Sequence, residues 1–242
     1  ETPKDRERTM RLIALGVAAG LYVSSETVFK DALAPDQCRW CGVNDLDDGF
    51  REAVLWDNTD RARQLSNLTG YALSPLGVSA LVLFASSGVE RERWTVAADD
   101  FIAILEAVWA TQLVTQIAKI SFGRQRPYAY FREPGATASQ EDNLSFISGH
   151  SSLTFSIAVA AGVVAHRRGY KLEPVIWATG LTLAASTAYF RMAGDRHYFT
   201  DVLVGGAVGA IGGVAIPRLT GSLPKGVAVV PQPNGLGLAG TF

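Results

Sequence analysis

The chain is poor in charge, in sulfur and in histidine. Charged residues fill 19% of its 242 positions, below the roughly 25% of an average soluble protein. Lys and Arg number 22 against 23 Asp and Glu. That balance leaves no basic excess for nucleic-acid binding. No linker, low-complexity tract or internal repeat divides the sequence, so a single domain over 1–242 is expected. Its core runs from about 12 to 217, and the Gly- and Pro-rich stretch 218–242 reads as an irregular tail.

Sulfur is as scarce. The two cysteines, Cys38 and Cys41, form one C-x-x-C. A zinc site needs two more ligands, and neither a second cysteine pair nor a histidine cluster exists to supply them. A thioredoxin-like motif belongs between a strand and a helix, and the surroundings do not read that way. A local disulfide is the expectation if this segment faces an oxidising compartment; two unpaired structural thiols are the alternative. Sustained alternation of polar and apolar residues is also missing, which argues against strands.

Apolar residues are plentiful, at 48% without counting 24 glycines. Six nearly uncharged stretches recur: 12–28, 68–89, 101–118, 151–165, 174–190 and 202–217. Their lengths suit helices that cross a bilayer or fill the centre of a large bundle. The expected fold is all-α: six core helices, transmembrane, with extra short surface helices. One surface helix is expected over 47–63, with Phe50, Val54, Leu55 and Ala62 giving a partial apolar face. The stretch 68–89 is the clearest span, since no charge occurs between Arg63 and Glu90. Glu26 and Glu106 interrupt the first and third stretches, and mean hydropathy is only +0.15. A soluble periplasmic bundle with an apolar core is therefore the alternative.

If all six stretches span, the segment around Cys38 and Cys41 lies on one side with the loops after the third and fifth stretches. The opposite side receives Lys4, Arg6, Arg8 and Arg11, then Arg91 and Arg93, then Arg167, Arg168 and Lys171, then Arg218 and Lys225. Such compact basic loops mark a cytoplasmic face, although 11 of the 22 Lys and Arg fall on each side. The expected location is a bacterial-type inner membrane with the functional loops on the periplasmic face.

Three polar clusters fall in those loops: KISFGRQRP at 119–127, SGH at 148–150 and RMAGDRHYFTD at 191–201. They hold five fixed cations and two of the chain's three histidines. Cations bind an anion, one imidazole can attack it, and the other can donate a proton. Helical spacing puts His197 and Asp201 one turn apart, so the carboxylate can accept the Nδ1 proton and leave Nε2 free. Gly149 lets backbone approach an anion at a helix N-terminus. Arg124 reads as a solvated neighbour, Asp195 and Arg196 as a local charge pair, and His166, beside Arg167 and Arg168, as a surface side chain.

The clusters resemble the three-part signature of the type 2 phosphatidic acid phosphatase superfamily: K-x6-R-P, P-S-G-H and S-R-x5-H-x3-D. This chain matches with Lys119, Arg126 and Pro127, with Ser148, Gly149 and His150, and with Arg191, His197 and Asp201. It departs at Ile147, where the pattern has Pro, and at Phe190, where it has Ser. The resemblance implies that Lys119, Arg126, Arg191, Ser148 and the Gly149 N–H hold phosphate. It implies that His197 forms a phosphohistidine, that Asp201 orients it, and that His150 protonates the leaving group. No metal or other cofactor is expected, and the partner is a phosphorylated lipid in the membrane. A soluble acid phosphatase and a vanadate-dependent haloperoxidase share the signature and stand as alternatives.

Overall fold

Six long helices carry the six apolar stretches. The computed structural model describes residues 3–87, 93–133, 135, 137–219, 227–232 and 235–240. Arg91 and Lys225, two of the basic positions assigned to the opposite face, lie outside the described residues, as does Pro134. Helix α1 (Pro3–Thr27) is followed by the short α2 (Lys30–Leu33) and α3 (Asp45–Val54). Helix α4 (Thr59–Asn67) runs through a π-helical turn, Leu68–Leu73, directly into α5 (Ser74–Ser86). Then come α6 (Arg93–Phe122), the single turn α7 (Pro127–Tyr130), α8 (Gly149–Arg168), α9 (Glu173–Ala193) and α10 (Phe199–Leu219).

The expected surface helix over 47–63 is two helices. Leu55 leaves helical geometry (φ −61°, ψ 131°), and the Asn58 side chain then caps a new helix by accepting from the Arg61 N–H at 2.9 Å. The second piece is the start of the 28-residue rod Thr59–Ser86. The tail also differs from its irregular reading. Residues 218–219 finish α10, and Val227–Gln232 pairs antiparallel with Gly235–Gly240. Pairing through the backbone needs no apolar pattern, so the hairpin left little trace in composition.

Helix α8 is the axis of the bundle, buried from Gly149 to Ala165 except at Leu153 and Phe155. It packs against α5, α6, α9 and α10. Val78, Val82, Ala107, Ile157, Val164 and Ile176 belong to the core around it. Helix α10 approaches through glycine: a Cβ on Gly205 would stand 2.6 Å from the Ser148 carbonyl, and one on Gly209 2.5 Å from that of Ser152. Serines and threonines inside α8 bond back to its own carbonyls, as Thr154 does to His150 at 3.0 Å.

Among the described residues three helices are long and apolar enough to cross a membrane: Thr59–Ser86, Trp94–Phe122 and Phe199–Leu219. Their outer faces are apolar. Leu76, Phe84, Ile117 and Ile211 are 65–71% exposed, an unfavourable arrangement in water and a suitable one against lipid. The carboxylates that interrupted the sequence pattern are partnered. Glu106 accepts from Nε and Nη2 of Arg11, at 2.8 and 2.7 Å. Near the same end of the bundle Arg168 and the Tyr170 hydroxyl bond Asp100 at 2.7 and 2.6 Å.

Candidate active site

The antiparallel course of the helices brings the ends of α1, α6 and α9 to the beginnings of α8 and α10. A cavity of about 240 Å³ opens at that end. Lys119, Arg126, Gly149, His150, Arg191 and His197, named from three separate sequence clusters, all line it. Each side chain is delivered by a local device. Lys119 sits in the last turn of α6. Arg126 precedes Pro127, which starts α7, and its main-chain N–H is held by the Asp142 carbonyl at 2.7 Å. Arg191 is in the last turn of α9, and its carbonyl accepts from the N–H groups of Arg196 and His197 at 3.0 and 3.3 Å. That closes the loop which presents His197.

The cationic side chains are only partly compensated. Lys119 Nζ lies 3.3 Å from Glu26 Oε1, and Glu26 also faces Lys30 at 3.8 Å. Lys30 pairs with Glu141 as well; this contact, with the nearby Arg126, outweighs the opposing effect of burial and holds the Glu141 carboxyl below its ordinary range. Arg126 is hydrogen bonded to the carbonyls of Glu141 and Arg196, at 2.9 and 3.4 Å. Arg191 donates to the Ser66 hydroxyl at 3.3 Å, and its Nε has no partner among the described residues. Gly149 allows the lysine in: a Cβ there would be 3.0 Å from Lys119 Nζ. An anion with several oxygens fits this set.

The two imidazoles are fixed differently. His150 Nε2 lies 2.9 Å from Asn67 Oδ1, so that nitrogen carries the hydrogen when the amide oxygen faces it. The Tyr71 ring covers His150 at 4.4 Å. His197 is almost fully buried. Burial comes first, then Arg126, Arg191 and Lys119, in pushing its pKa well below the usual histidine value; the Ser145 main chain acts weakly the other way. The ring is held neutral, with a nitrogen lone pair available.

Asp201 stands as expected one turn from His197, but its oxygens are committed elsewhere. Nδ1 of His197 is 3.6 Å from Oδ2, beyond hydrogen-bond length, and has no hydrogen-bond partner among the described residues. Oδ2 accepts from the Ser145 hydroxyl at 2.5 Å and the Tyr198 N–H at 3.0 Å, and Oδ1 from Arg124 at 2.6 Å. His197 precedes the first residue of α10, so ideal helical spacing does not apply. Ser148 also differs from its expected place. It is the N-cap of α8, its hydroxyl accepting from the N–H and Oγ of Ser151 at 3.4 and 3.0 Å. It is absent from the cavity wall, because capping pulls the oxygen onto the first helical turn.

Arg124 is the largest correction. Far from solvated, it is completely buried. It bridges Asp201 and Asp47 at 2.6 Å each, between the rings of Trp40 and Tyr198 at 4.0 and 4.2 Å. Trp40 belongs to the Cys38–Cys41 loop, whose sulfurs are bonded to each other. Asp195 and Arg196 are not a local pair either: Asp195 takes Arg51, at 2.7 and 3.0 Å. His166 is exposed and bonded to Glu173, as its sequence surroundings suggested.

With this geometry in hand, the family is decided by comparison. A family model described as the PAP2 superfamily matches residues 100–223, slightly more than half the chain. The chain belongs to the PAP2 superfamily. A PA-phosphatase related-family protein of Dictyostelium discoideum is 30% identical over 125 residues, 48% of this chain and 46% of that protein. The chain thus spans under half the length of this curated relative. The solved transmembrane PAP2 type phosphatidylglycerolphosphate phosphatase of Bacillus subtilis is similar in fold, with TM-score 0.53 and 16% identity over 90% of this chain and 97% of that one. LpxE of Aquifex aeolicus aligns over 72% of this chain and 93% of its own, at 24% identity and TM-score 0.49.

Some cavity residues of this PAP2 chain escaped sequence reading although a signal existed. Glu26 was an isolated carboxylate in an apolar stretch, which marks a functional position by default. Asn67 and Tyr71, four residues apart at the start of the uncharged stretch, share a helix face. A π-helical turn begins between them, a distortion frequent at functional sites. Among the described residues no group of three or more His, Cys, Asp or Glu could hold a metal.

Proposed function

We propose that this chain is a membrane-embedded phosphatase that removes a terminal phosphate from a phosphorylated lipid, a monoester or a diphosphate, through a phosphohistidine on His197. The observation that carries the reading is the convergence of two imidazoles with Lys119, Arg126 and Arg191 on one cavity. Membership of the PAP2 superfamily and three helices apolar enough to span support it.

In this mechanism the three cations and the Gly149 N–H hold the equatorial phosphate oxygens and stabilise their charge in the transition state. Neutral His197 attacks phosphorus through Nε2, and the phosphorus–oxygen bond to the lipid breaks. His150 passes its proton to the leaving oxygen. Water then attacks phosphorus and gives a proton to His150, and the phosphorus–nitrogen bond breaks with its electron pair returning to His197. Asp201 has a modest distance to close, since 3.6 Å from Nδ1 tightens to a hydrogen bond as the ring becomes cationic; such contacts are often long without substrate. Ser148 acts here through its cap, by orienting the first turn of α8. The cavity lies at the bundle end opposite Arg8, Arg11, Arg167 and Arg168, and on that charge sorting we place it on the periplasmic face.

The test is a denaturing quench in alkali during turnover of a terminally 32P-labelled lipid phosphate. Wild type is expected to carry acid-labile, base-stable label on His197 and to release phosphate in EDTA. His197→Ala is expected to show neither label nor release. Turnover near wild type in that variant overturns the assignment.

A further inference from the structure

The cavity holds more cation than one phosphate group requires. Six basic side chains line it, Lys30, Arg63, Lys119, Arg126, Arg191 and Arg196, against two carboxylates, Glu26 and Glu141. Lys30, Lys119, Glu26 and Glu141 neutralise one another through the contacts described above. Four guanidinium groups remain. Arg126 and Arg191 belong to the phosphate position. Arg63 and Arg196 do not appear in any of the three signature patterns, yet they reach the same space.

Both also line a second cavity of about 250 Å³ next to the first, walled further by Thr59, Asp60, Tyr128, Gly194 and Asp195. The two spaces thus meet at these two arginines. Arg196 forms no ion pair among the described residues and rests against the Tyr128 ring at 4.8 Å. The Nε atoms of Arg63 and Arg196 are buried without a hydrogen-bond partner among the described residues. Two carboxylates stand nearby. Asp195 is occupied by Arg51. Asp60 reaches Arg63 at 2.9 Å, but the two side chains are 76% and 42% exposed, and water screens such a contact. Buried donors without partners are costly, and an anion entering from the first cavity satisfies them.

We infer that Arg63 and Arg196 form a second anion subsite beside the scissile phosphate, selecting lipids that carry a second phosphate group joined to the first, a diphosphate. The inference rests on the phosphatase reading above. In it the terminal phosphate occupies Lys119, Arg126 and Arg191, and the inner phosphate, which leaves with the lipid, is gripped by Arg63 and Arg196. The broken bond is the phosphoanhydride, and the proton from His150 goes to the bridging oxygen.

The experiment compares farnesyl diphosphate with farnesyl monophosphate, using the full chain in detergent micelles. The readout is the ratio of kcat/KM for the two substrates. Wild type is expected to favour the diphosphate, and Arg196→Gln and Arg63→Gln to lower the ratio about ten- to a hundredfold, as loss of a charge-assisted hydrogen bond should. Arg196→Lys is expected to retain part of it. A ratio unchanged within about twofold in both Gln variants overturns the inference while leaving the phosphatase reading in place. If wild type cleaves neither substrate, the phosphatase reading falls, and thermal stabilisation by inorganic pyrophosphate over phosphate judges the subsite alone. Equal stabilisation in wild type and the Arg63→Gln/Arg196→Gln double variant then refutes it.

Discussion

Replacing Arg124 by Met keeps most of the side-chain volume and removes one charge. Its two partners, Asp47 and Asp201, are completely buried, each 2.6 Å from a guanidinium nitrogen. With the cation gone, two carboxylates face a low-dielectric interior with no opposite charge. Removing one member of a buried ion pair costs about 3–5 kcal/mol. In a chain of this size 1 kcal/mol moves Tm by roughly 2–4 °C, so Arg124→Met is expected to lower Tm by about 6–20 °C. Arg8 provides the comparison, because it faces Asp99 at 3.7 Å with both side chains about two-fifths exposed. Breaking such a pair costs at most about 1 kcal/mol. Circular dichroism melts of both variants in the same detergent read the difference. Adding Asp47→Asn and Asp201→Asn to Arg124→Met removes the stranded charges and is expected to recover part of the loss. Equal Tm values for Arg124→Met and Arg8→Met would refute the buried-network account.

Asp201→Asn keeps the shape of the carboxylate but loses its charge, and is expected to slow phosphate release by roughly 10²–10⁴-fold, read as steady-state kcat. The depressed pKa of His197, caused by burial and then by Arg126, Arg191 and Lys119, has a direct consequence for pH. The neutral nucleophile persists below the ordinary value of about 6.5, so histidine ring NMR should place its titration in that acid range. Arg126→Gln removes one depressing charge and should raise the midpoint; an unchanged midpoint contradicts the stated cause. Gly205→Ala puts a methyl 2.6 Å from the Ser148 carbonyl and is expected to destabilise the bundle by about 1–3 kcal/mol. A melt indistinguishable from wild type would show that α8 and α10 do not pack as closely as described.

Much of the fold was legible because apolar runs of helical length are a one-dimensional signal. All six stretches became long helices. The break at Leu55 was not legible in the same way, since Asn58 becomes a cap only once the chain turns there. The cavity residues of the three motifs were legible by residue type and spacing. Arg124 was misread because an arginine in a polar loop is ordinarily solvated, and nothing near it in sequence announces Asp47, 77 positions away. Ser148 caps α8 in the structure; one hydroxyl can cap a helix or touch a ligand, and sequence does not choose between them.

The order of residues alone determined which groups exist to do chemistry and which segments must leave water, because residue type and periodicity are properties of the chain itself. Folding alone decided which charges cancel and which stay available. Glu26 partly offsets Lys119, Arg124 is spent on two carboxylates, and Arg63 and Arg196 are left facing the cavity beside Lys119. Coulomb energy depends on separation and on the surrounding dielectric, and both are set by packing between helices far apart in sequence.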